Sequence, residues 1–218
     1  MKPKRPYHHG DLKRALLDAA LELVRTKGAE AFTLREVARR AGVSHNAPYR
    51  HFRDRGELLA AVAVEGYERL TQSMVTAAES ATTPSDRFLH CGFGFLQFAM
   101  RYPEHFKVIF DTPQRYEYPE ARAAGERTFG TLLGYIRECQ AAGVLPQDDA
   151  RCLGLTYLGL VQGTAKLAIT GRLPFSEVAE VCRFFEKASS ALTRGFAQPA
   201  TETAPEPARS SPKMRGRP

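Results

Sequence analysis

The sequence predicts an all-α protein in which a short helix-turn-helix domain precedes a larger helical domain. Apolar residues recur at helical spacing through most of the 218 residues, and no segment shows strand-like alternation over a useful length. Helix-capping and helix-stopping residues crowd into the first quarter of the chain, which indicates short helices there. We divide the chain into a basic arm (1–10), a helix-turn-helix domain (11–55), a helical domain (56–197) and a disordered tail rich in Pro, Ala, Ser, Thr and Glu (198–218).

The first two helices have clear boundaries in the sequence. Apolar residues spaced along one face predict a helix over 11–27, and Gly28 is placed to stop it. Thr33 and Glu36 form a capping box, in which each side chain satisfies a backbone amide that the helix start leaves unpaired. A second, short helix is therefore expected from Thr33 to Ala41.

A tight turn leads from the second helix into the third. Gly42 can adopt the left-handed conformation that ends a helix, and Ser44 can cap the next one. We expect that third helix over 45–52. Asp54 repeats the capping pattern and opens a long helix that can connect two domains.

The second domain is predicted to be helical throughout. Pro84 opens a segment rich in phenylalanine, the pair Tyr102-Pro103 breaks it, and the stretch 113–119 is typical of a loop. Further helices are expected over 120–142, 148–170 and 176–196.

The net charge lies at one end of the molecule. Residues 1–55 contain 13 Lys or Arg against 6 Asp or Glu, a local net charge of +7, while residues 56–218 hold 18 of each sign. Such asymmetry favours a polyanionic partner, of which nucleic acid is the common one. A solvated basic surface without a partner would give the same composition.

Composition also argues against a membrane or secreted protein. The four cysteines form no CxxC pair and follow no secretory signal, which is typical of a reducing cytoplasm. The longest charge-free apolar stretch, 152–165, contains three glycines and falls short of the roughly 20 residues that span a bilayer. We therefore expect a cytoplasmic protein with no transmembrane helix.

An enzyme is the first rival hypothesis, because His90, Cys91 and His105 could suggest a thiol or metal site. The sequence has no HExxH, CxxC or GxSxG motif and no phosphate-binding glycine loop. A reactive Cys91 would also need a depressed thiol pKa. We predict no enzyme, no cofactor and no metal.

Two short helices joined by a glycine turn place the second of them in the DNA major groove. Asparagine can bond an adenine edge in two places, and alanine can pack on a thymine methyl group. Hydroxyl, guanidinium and imidazole donors one turn later suit phosphate. The candidates for bases are His45, Asn46 and Ala47, and those for phosphate are Tyr49, Arg50, His51 and Arg55.

The segments 32–38, 41–44, 49–52 and 57–59 resemble the TetR family of bacterial regulators. Pro48 departs from that pattern, because the family prefers an aliphatic residue there and proline removes a backbone amide. The resemblance implies base-facing roles for His45, Asn46 and Ala47. It implies DNA-backbone contacts for Thr33, Arg35, Ser44, Tyr49, His51 and Arg55.

Several of these residues have a second interpretation. Thr33 and Ser44 are expected to cap helices, which is compatible with DNA contact. The arm, with Lys2, Lys4 and Arg5, could lie along phosphates or in the minor groove, and a plain disordered terminus explains it equally well.

The resemblance also implies that the second domain encloses a small, apolar effector. The predicted lining is mostly apolar, although each of these residues could instead be ordinary core. The candidates are Phe95, Phe98, Phe129, Leu133 and Gln162.

A homodimer is the further implication of the resemblance. The stretch 158–163 is similar to a tryptophan, histidine and glycine signature of one TetR subgroup, but only Gly163 is retained. Glycines one turn apart would let another helix approach, so a four-helix interface is predicted, with packing inside one subunit as the alternative. The candidate interface residues are Gly159, Gly163, Val181, Phe185 and Leu192.

A twofold dimer would read double-stranded DNA as an inverted repeat, in successive major grooves. Repression is the default within the family, with an effector that shifts the equilibrium between two head separations. The alternative is a DNA-binding regulator that has no small-molecule ligand and is controlled by a protein partner or by its abundance.

Overall fold

The computed structural model describes residues 9–112 and 117–197, and all regular secondary structure in this part of the chain is helical, as predicted. Residues 1–8 of the predicted arm and the predicted tail, 198–218, lie outside it. The first helix begins two residues earlier than expected. The helices are α1 (His9–Lys27), α2 (Leu34–Arg40), α3 (Arg55–Glu79), α4 (Pro84–Arg101), α5 (Pro103–Asp111), α6 (Pro119–Ala141), α7 (Ala150–Ile169) and α8 (Val178–Ala197).

The predicted caps of the first helices are present. Thr33 Oγ1 accepts from the Glu36 amide at 3.3 Å, and the Glu36 carboxylate accepts from the Thr33 amide at 3.0 Å, which completes the capping box. Gly28 and Gly42 have φ values of 87° and 70°, the left-handed conformation that ends a helix with little strain in glycine. Asp54 caps α3 by accepting from the Glu57 amide at 2.8 Å.

The predicted third helix over 45–52 is wrong. Residues 45–47 form a turn, and only Pro48–Arg50 is helical, as a single 3₁₀ turn. Proline has no amide to donate to Ser44 four residues back, and most of the local bonds run over three residues, as from Ala47 N to Ser44 O and from His51 N to Pro48 O. A single four-residue bond, from Phe52 N to Pro48 O, closes the turn. Pro48 itself is buried, so its ring supplies the apolar contact that an aliphatic residue would make.

Helix α3 is the central element of the molecule, since it packs against α1, α4, α5 and α6. Its closest neighbour is α4, where Gly94 lies against the backbone of Ser73 and Met74 and leaves no room for a side chain. Ser73 Oγ donates to the Gly94 carbonyl at 2.8 Å. The two helices therefore form a closely packed pair around which the second domain is built.

The small N-terminal domain is attached to the second domain through charged side chains. Arg14 of α1 donates to both carboxylate oxygens of Glu65 in α3 at 2.9 Å, and Arg69 also donates to Glu65. Burial would raise the pKa of the Glu65 carboxyl, but these guanidinium bonds outweigh it and lower that pKa. His105 of α5 lies beside the same carboxylate, with 3.6 Å between Nε2 and Oε1.

Helix α7 is the one helix in the described residues that could cross a membrane by length and composition. One such helix is weak evidence, because a core helix passes the same test. It packs against α4, α6 and α8, and Leu153, Tyr157 and Val161 are buried in that packing. We interpret its remaining apolar face as a protein surface.

Candidate nucleic-acid interface and effector cavity

The turn after α2 presents polar residues because its apolar residues are fixed in the core. Pro48 and Phe52 are buried, whereas His45, Asn46 and Arg50 are exposed. Tyr49 is 53% exposed, a large ring left in solvent beside them. This polar surface is suited to a partner rather than to packing.

The other predicted contact residues on this turn have mixed positions. His51 and Ser44 are exposed, but Ala47 is half-buried against the core and has less surface to offer a base. Ser44 does not cap the following turn, which begins at Ala47 without a side-chain cap. Thr33 is exposed, and its hydroxyl also bonds the Glu36 carboxylate at 3.2 Å.

Ion pairing separates the basic residues of this domain into two groups. Lys27, Arg40 and Arg53 are neutralised by Glu36, Glu22 and Glu57 respectively. In residues 9–112 and 117–197 the structure records no ion pair for Arg35, Arg39 or Arg50, all of which are exposed. These three guanidinium groups are free to meet phosphate.

Arg39 was missed by the sequence prediction. It lies four residues after Arg35, on the same face of α2, and this spacing was the available signal. The spacing alone does not distinguish Arg39 from its neighbour Arg40, because the difference depends on the ion pair between Arg40 and Glu22.

Arg55, predicted to contact the DNA backbone, has a structural role in this chain. Its guanidinium donates to the Glu30 carbonyl and lies 3.5 Å from the Phe32 carbonyl. It therefore fastens the loop before α2 to the start of α3. This bonding leaves Arg55 half-buried, so the DNA contact predicted for it stays a prediction.

The start of α3 is also bonded to the start of α6. Tyr118 donates its hydroxyl to Asp54 Oδ1 at 2.8 Å, and its ring covers Gly56, where a methyl group would overlap it. Hydrogen bonds from the Glu57 amide and from Tyr118 lower the pKa of the Asp54 carboxyl. Desolvation and the bond to Asp54 raise the pKa of Tyr118 to about 12, so the phenol stays a donor at neutral pH.

A cavity of about 340 Å³ opens between α3, α4, α6 and α7. Its volume lies within the range of small-molecule sites. Phe95, Phe129 and Leu133 line it, but Phe98 and Gln162 do not. Phe98 instead packs near the Tyr102 ring, with 5.9 Å between ring centroids, because its position on α4 points toward α5.

The hydroxyl groups of Tyr157 and Thr128 in the cavity lining are bonded to the protein's own backbone. Tyr157 donates its hydroxyl to the Phe88 carbonyl at 3.2 Å, and Thr128 donates to the Ala124 carbonyl at 3.0 Å. Burial raises the pKa of the Cys91 thiol to about 12, and His90 bonds Ser80 instead. A thiolate nucleophile at Cys91 is therefore disfavoured.

Among the described residues of the cavity lining, the charged side chains are exposed and therefore lie at its rim. They are Arg122 and Glu126 of α6 and Arg151 of α7. The Arg151 guanidinium lies 5.5 Å from the centre of the Phe129 ring, in a cation–π contact.

Part of the predicted dimer interface is wrong, because two of its residues on α8 are buried inside the subunit. Val181 and Phe185 are fully buried inside the subunit, so neither offers a surface to a second chain, and Leu192 is half-buried. Gly159 and Gly163 are exposed, with open space beside them.

Four exposed residues of α7 recur at every fourth position, and two exposed residues of α8 accompany them. The sequence prediction did not include the large apolar residues among them, Leu155, Leu167 and Phe184. Helical spacing shows that a helix has an apolar face, but it does not show which apolar residues point into the subunit. We call this surface the α7–α8 face: Leu155, Gly159, Gly163, Leu167, Phe184 and Ala191.

Comparisons with known proteins match both domains. Residues 16–62 match the model of the bacterial regulatory proteins of the tetR family, and residues 88–192 match that of the tetracyclin repressor-like C-terminal domain. The chain is 32% identical over 158 residues to the HTH-type transcriptional regulator BetI of Rhizobium meliloti, covering 69% of this chain and 74% of that protein. It is 28% identical to an HTH-type transcriptional regulator of Mycobacterium tuberculosis, covering 56% of this chain and 52% of that protein.

Solved structures agree in fold. A Rhodococcus sp. RHA1 protein of unknown function is 34% identical, with a TM-score of 0.73 over 89% of this chain and 100% of that one. A tetR-family regulatory protein from Rhodococcus RHA1, 20% identical, superposes with a TM-score of 0.67 over 85% of this chain and 96% of that one. These relatives are regulators rather than enzymes where a function is given. The chain therefore belongs to the TetR family of DNA-binding transcriptional regulators.

Proposed function

We propose that the protein is a homodimeric repressor that binds a palindromic operator in the cytoplasm and is released from it by a small, mostly apolar effector. The observation that carries the proposal is the pair of exposed surfaces that one subunit leaves uncovered. One is the polar surface around Tyr49, and the other is the apolar α7–α8 face.

The α7–α8 face supports a dimer because exposed apolar area is costly in water. Leu155, which also lines the cavity at its mouth, is 53% exposed, and Phe184 is 40% exposed. Gly159 and Gly163 leave space in which a helix of a second subunit can approach closely. We call residues 44–52, between α2 and α3, the DNA-reading turn. A twofold axis through the α7–α8 face would present two DNA-reading turns to one duplex.

The division of roles on the DNA follows from chemistry and exposure. Asn46 and His45 present donors and acceptors for base edges, with Ala47 as a weaker apolar contact. The residues assigned to the phosphates are exposed side chains that donate hydrogen bonds: Thr33, Arg35, Arg39, Ser44, Tyr49, Arg50 and His51.

Effector control is supported by the connection between the cavity and the DNA-reading turn. Helix α6 provides Phe129 and Leu133 to the cavity, and Tyr118 at its start bonds Asp54. Asp54 caps α3 two residues after Phe52, where the reading turn ends. A ligand that displaces α6 would therefore act on the turn through this hydrogen bond, to the extent that it binds one arrangement more tightly. The cavity favours this proposal over control by a protein partner or by abundance.

The proposal is tested by DNA binding of matched variants across a salt series. Tyr49→Phe combined with Arg50→Ala should weaken binding to every duplex and flatten the salt dependence, because phosphate contacts release counterions. Asn46→Ala should mainly change the preferred base pairs. Equal effects of the two changes on sequence preference would contradict the assigned roles.

A further inference from the structure

We infer that the effector is an acidic amphiphile, with an apolar body inside the cavity and one anionic group held at the rim by Arg151. The inference rests on the proposed effector control and adds the chemical class of the ligand. It follows from where the cavity offers polar groups and where it does not.

The interior favours an apolar body. In the described residues no buried side-chain nitrogen or oxygen of the lining lacks a hydrogen-bond partner. Tyr157 and Thr128 already donate their hydroxyl protons to backbone carbonyls. An anionic ligand group buried there would lose its hydration and find no free donor on these two hydroxyls, which is unfavourable. An anionic end of the ligand is therefore expected at the rim.

The rim carries two guanidinium groups and one carboxylate. Arg122 pairs weakly with Glu126, at 4.0 Å between nitrogen and oxygen, and both side chains are mostly exposed. In residues 9–112 and 117–197 the Arg151 guanidinium has no carboxylate partner, although the Arg151 backbone amide donates to Asp149 Oδ1 at 2.8 Å. The guanidinium rests over the Phe129 ring of the cavity wall. The unneutralised cation at the rim is therefore Arg151, and it lies beside the apolar surface that would hold the ligand body.

This arrangement selects an anion over a neutral or cationic head group. A carboxylate or phosphate at the rim would accept charge-assisted hydrogen bonds from Arg151, while the charges of Arg122 and Glu126 largely offset each other. A cationic head group would meet two like charges and one carboxylate that Arg122 already approaches. Glu126 opposes an anion, so its removal should favour binding.

The test compares three ligands with the same alkyl chain: decanoate, decanol and decylammonium. Their binding to the full-length protein is measured by titration calorimetry, and release of a bound operator duplex is followed in parallel. Decanoate should bind about five-fold more tightly than decanol, the effect of a charged hydrogen bond at a partly exposed site. Decylammonium should bind most weakly.

Three substitutions separate the rim charges from the rest of the protein. Arg151→Gln should remove the advantage of decanoate over decanol, and Glu126→Gln should increase it about two-fold. Arg137→Gln, an exposed arginine of α6 that is not part of the cavity, should leave both affinities unchanged.

The outcomes distinguish this inference from effector control itself. Equal binding of decanoate and decanol, or an equal loss of both in Arg151→Gln, would overturn the anionic head group while leaving an apolar effector in place. If none of the three ligands binds and the protein keeps its operator duplex, both the anionic head group and the apolar effector in this cavity are wrong. DNA binding by the turn around Tyr49 is unaffected by either result.

Discussion

The DNA-reading turn and the α7–α8 face are both exposed, but they are exposed for opposite physical reasons. The turn presents Asn46, Tyr49 and Arg50 in water, where polar and charged groups are stable without a partner. The face presents Leu155 and Phe184, whose exposure is unfavourable until something covers it. A charged surface is therefore stable in water between encounters with its partner, whereas an exposed apolar surface of this kind needs a partner that is bound continuously. A permanent second subunit and a transient DNA duplex fit these two requirements.

Disruption of the α7–α8 face should have the largest effect. Phe184→Asp places a charge in the proposed interface, so the dimer should dissociate and operator affinity should fall by about 100-fold or more, because the two reading turns lose their linkage. Sedimentation and DNA binding measure both. Val144→Asp is the matched control, since Val144 is also 40% exposed but lies in the turn after α6. An intact dimer in Phe184→Asp would place the interface elsewhere.

The second prediction compares neighbouring arginines on α2. Arg39→Gln should remove one phosphate contact and reduce the slope of log affinity against log salt by about 1, whichever duplex is used. Arg40→Gln should have less effect, because Arg40 is engaged by Glu22. If the two variants reduce the slope equally, ion pairing does not decide which arginines meet the DNA.

The third prediction tests the bond between the cavity helix and the reading turn. Tyr118→Phe should leave operator affinity within about two-fold and weaken release by an effector several-fold, since a hydrogen bond to a carboxylate is lost and the ring is kept. Gly56→Ala should act in the same direction by displacing the Tyr118 ring.

Tyr135→Phe is the control for Tyr118→Phe, because Tyr135 lies on the same helix and its ring faces Arg87. Anisotropy of a labelled operator during effector titration measures affinity and release together. Unchanged release in both Tyr118→Phe and Gly56→Ala would show that α6 acts on the DNA-reading turn by another route.

The smallest effect concerns the junction between the domains. Burial lowers the pKa of His105, against the opposing influence of Glu65, with Arg69 and Arg14 lowering it further and Glu104 raising it. A folded-state pKa below the unfolded value means that stability is full above about pH 6.5 and is lost as the pH falls.

Urea unfolding should therefore show lower stability at about pH 5.5 than at about pH 7.5, and His105→Gln should reduce that difference. His90→Gln is the control, because His90 is only half-buried and lies away from the junction. An unchanged pH dependence in His105→Gln would show that other groups dominate it.

The sequence predicted the local features well, because they depend on neighbours along the chain. The capping box at Thr33, the stop at Gly42 and the break at Tyr102-Pro103 all follow from short-range backbone chemistry. The error over 45–52 has the same origin, since the missing amide of Pro48 reduces the helix to a single 3₁₀ turn.

The tertiary features were less predictable. Helical spacing marked α8 as amphipathic, but it could not show that Phe185 turns into the subunit while Phe184 turns out. Gln162 and Phe98 were placed in the cavity by analogy, and the rotation of each helix decided otherwise. The bond from Tyr118 to Asp54 joins residues 64 positions apart, and no local pattern announces it.

Selection of the purified full-length protein against random duplex DNA at near-physiological salt examines the DNA-reading turn and the dimer in one experiment. A homodimeric, sequence-specific regulator should enrich a palindrome whose half-sites are separated by about one helical turn, roughly 34 to 36 Å, or a multiple of it. No enrichment, with binding that disappears as salt rises, would contradict this function and reduce the basic end to a non-specific electrostatic surface.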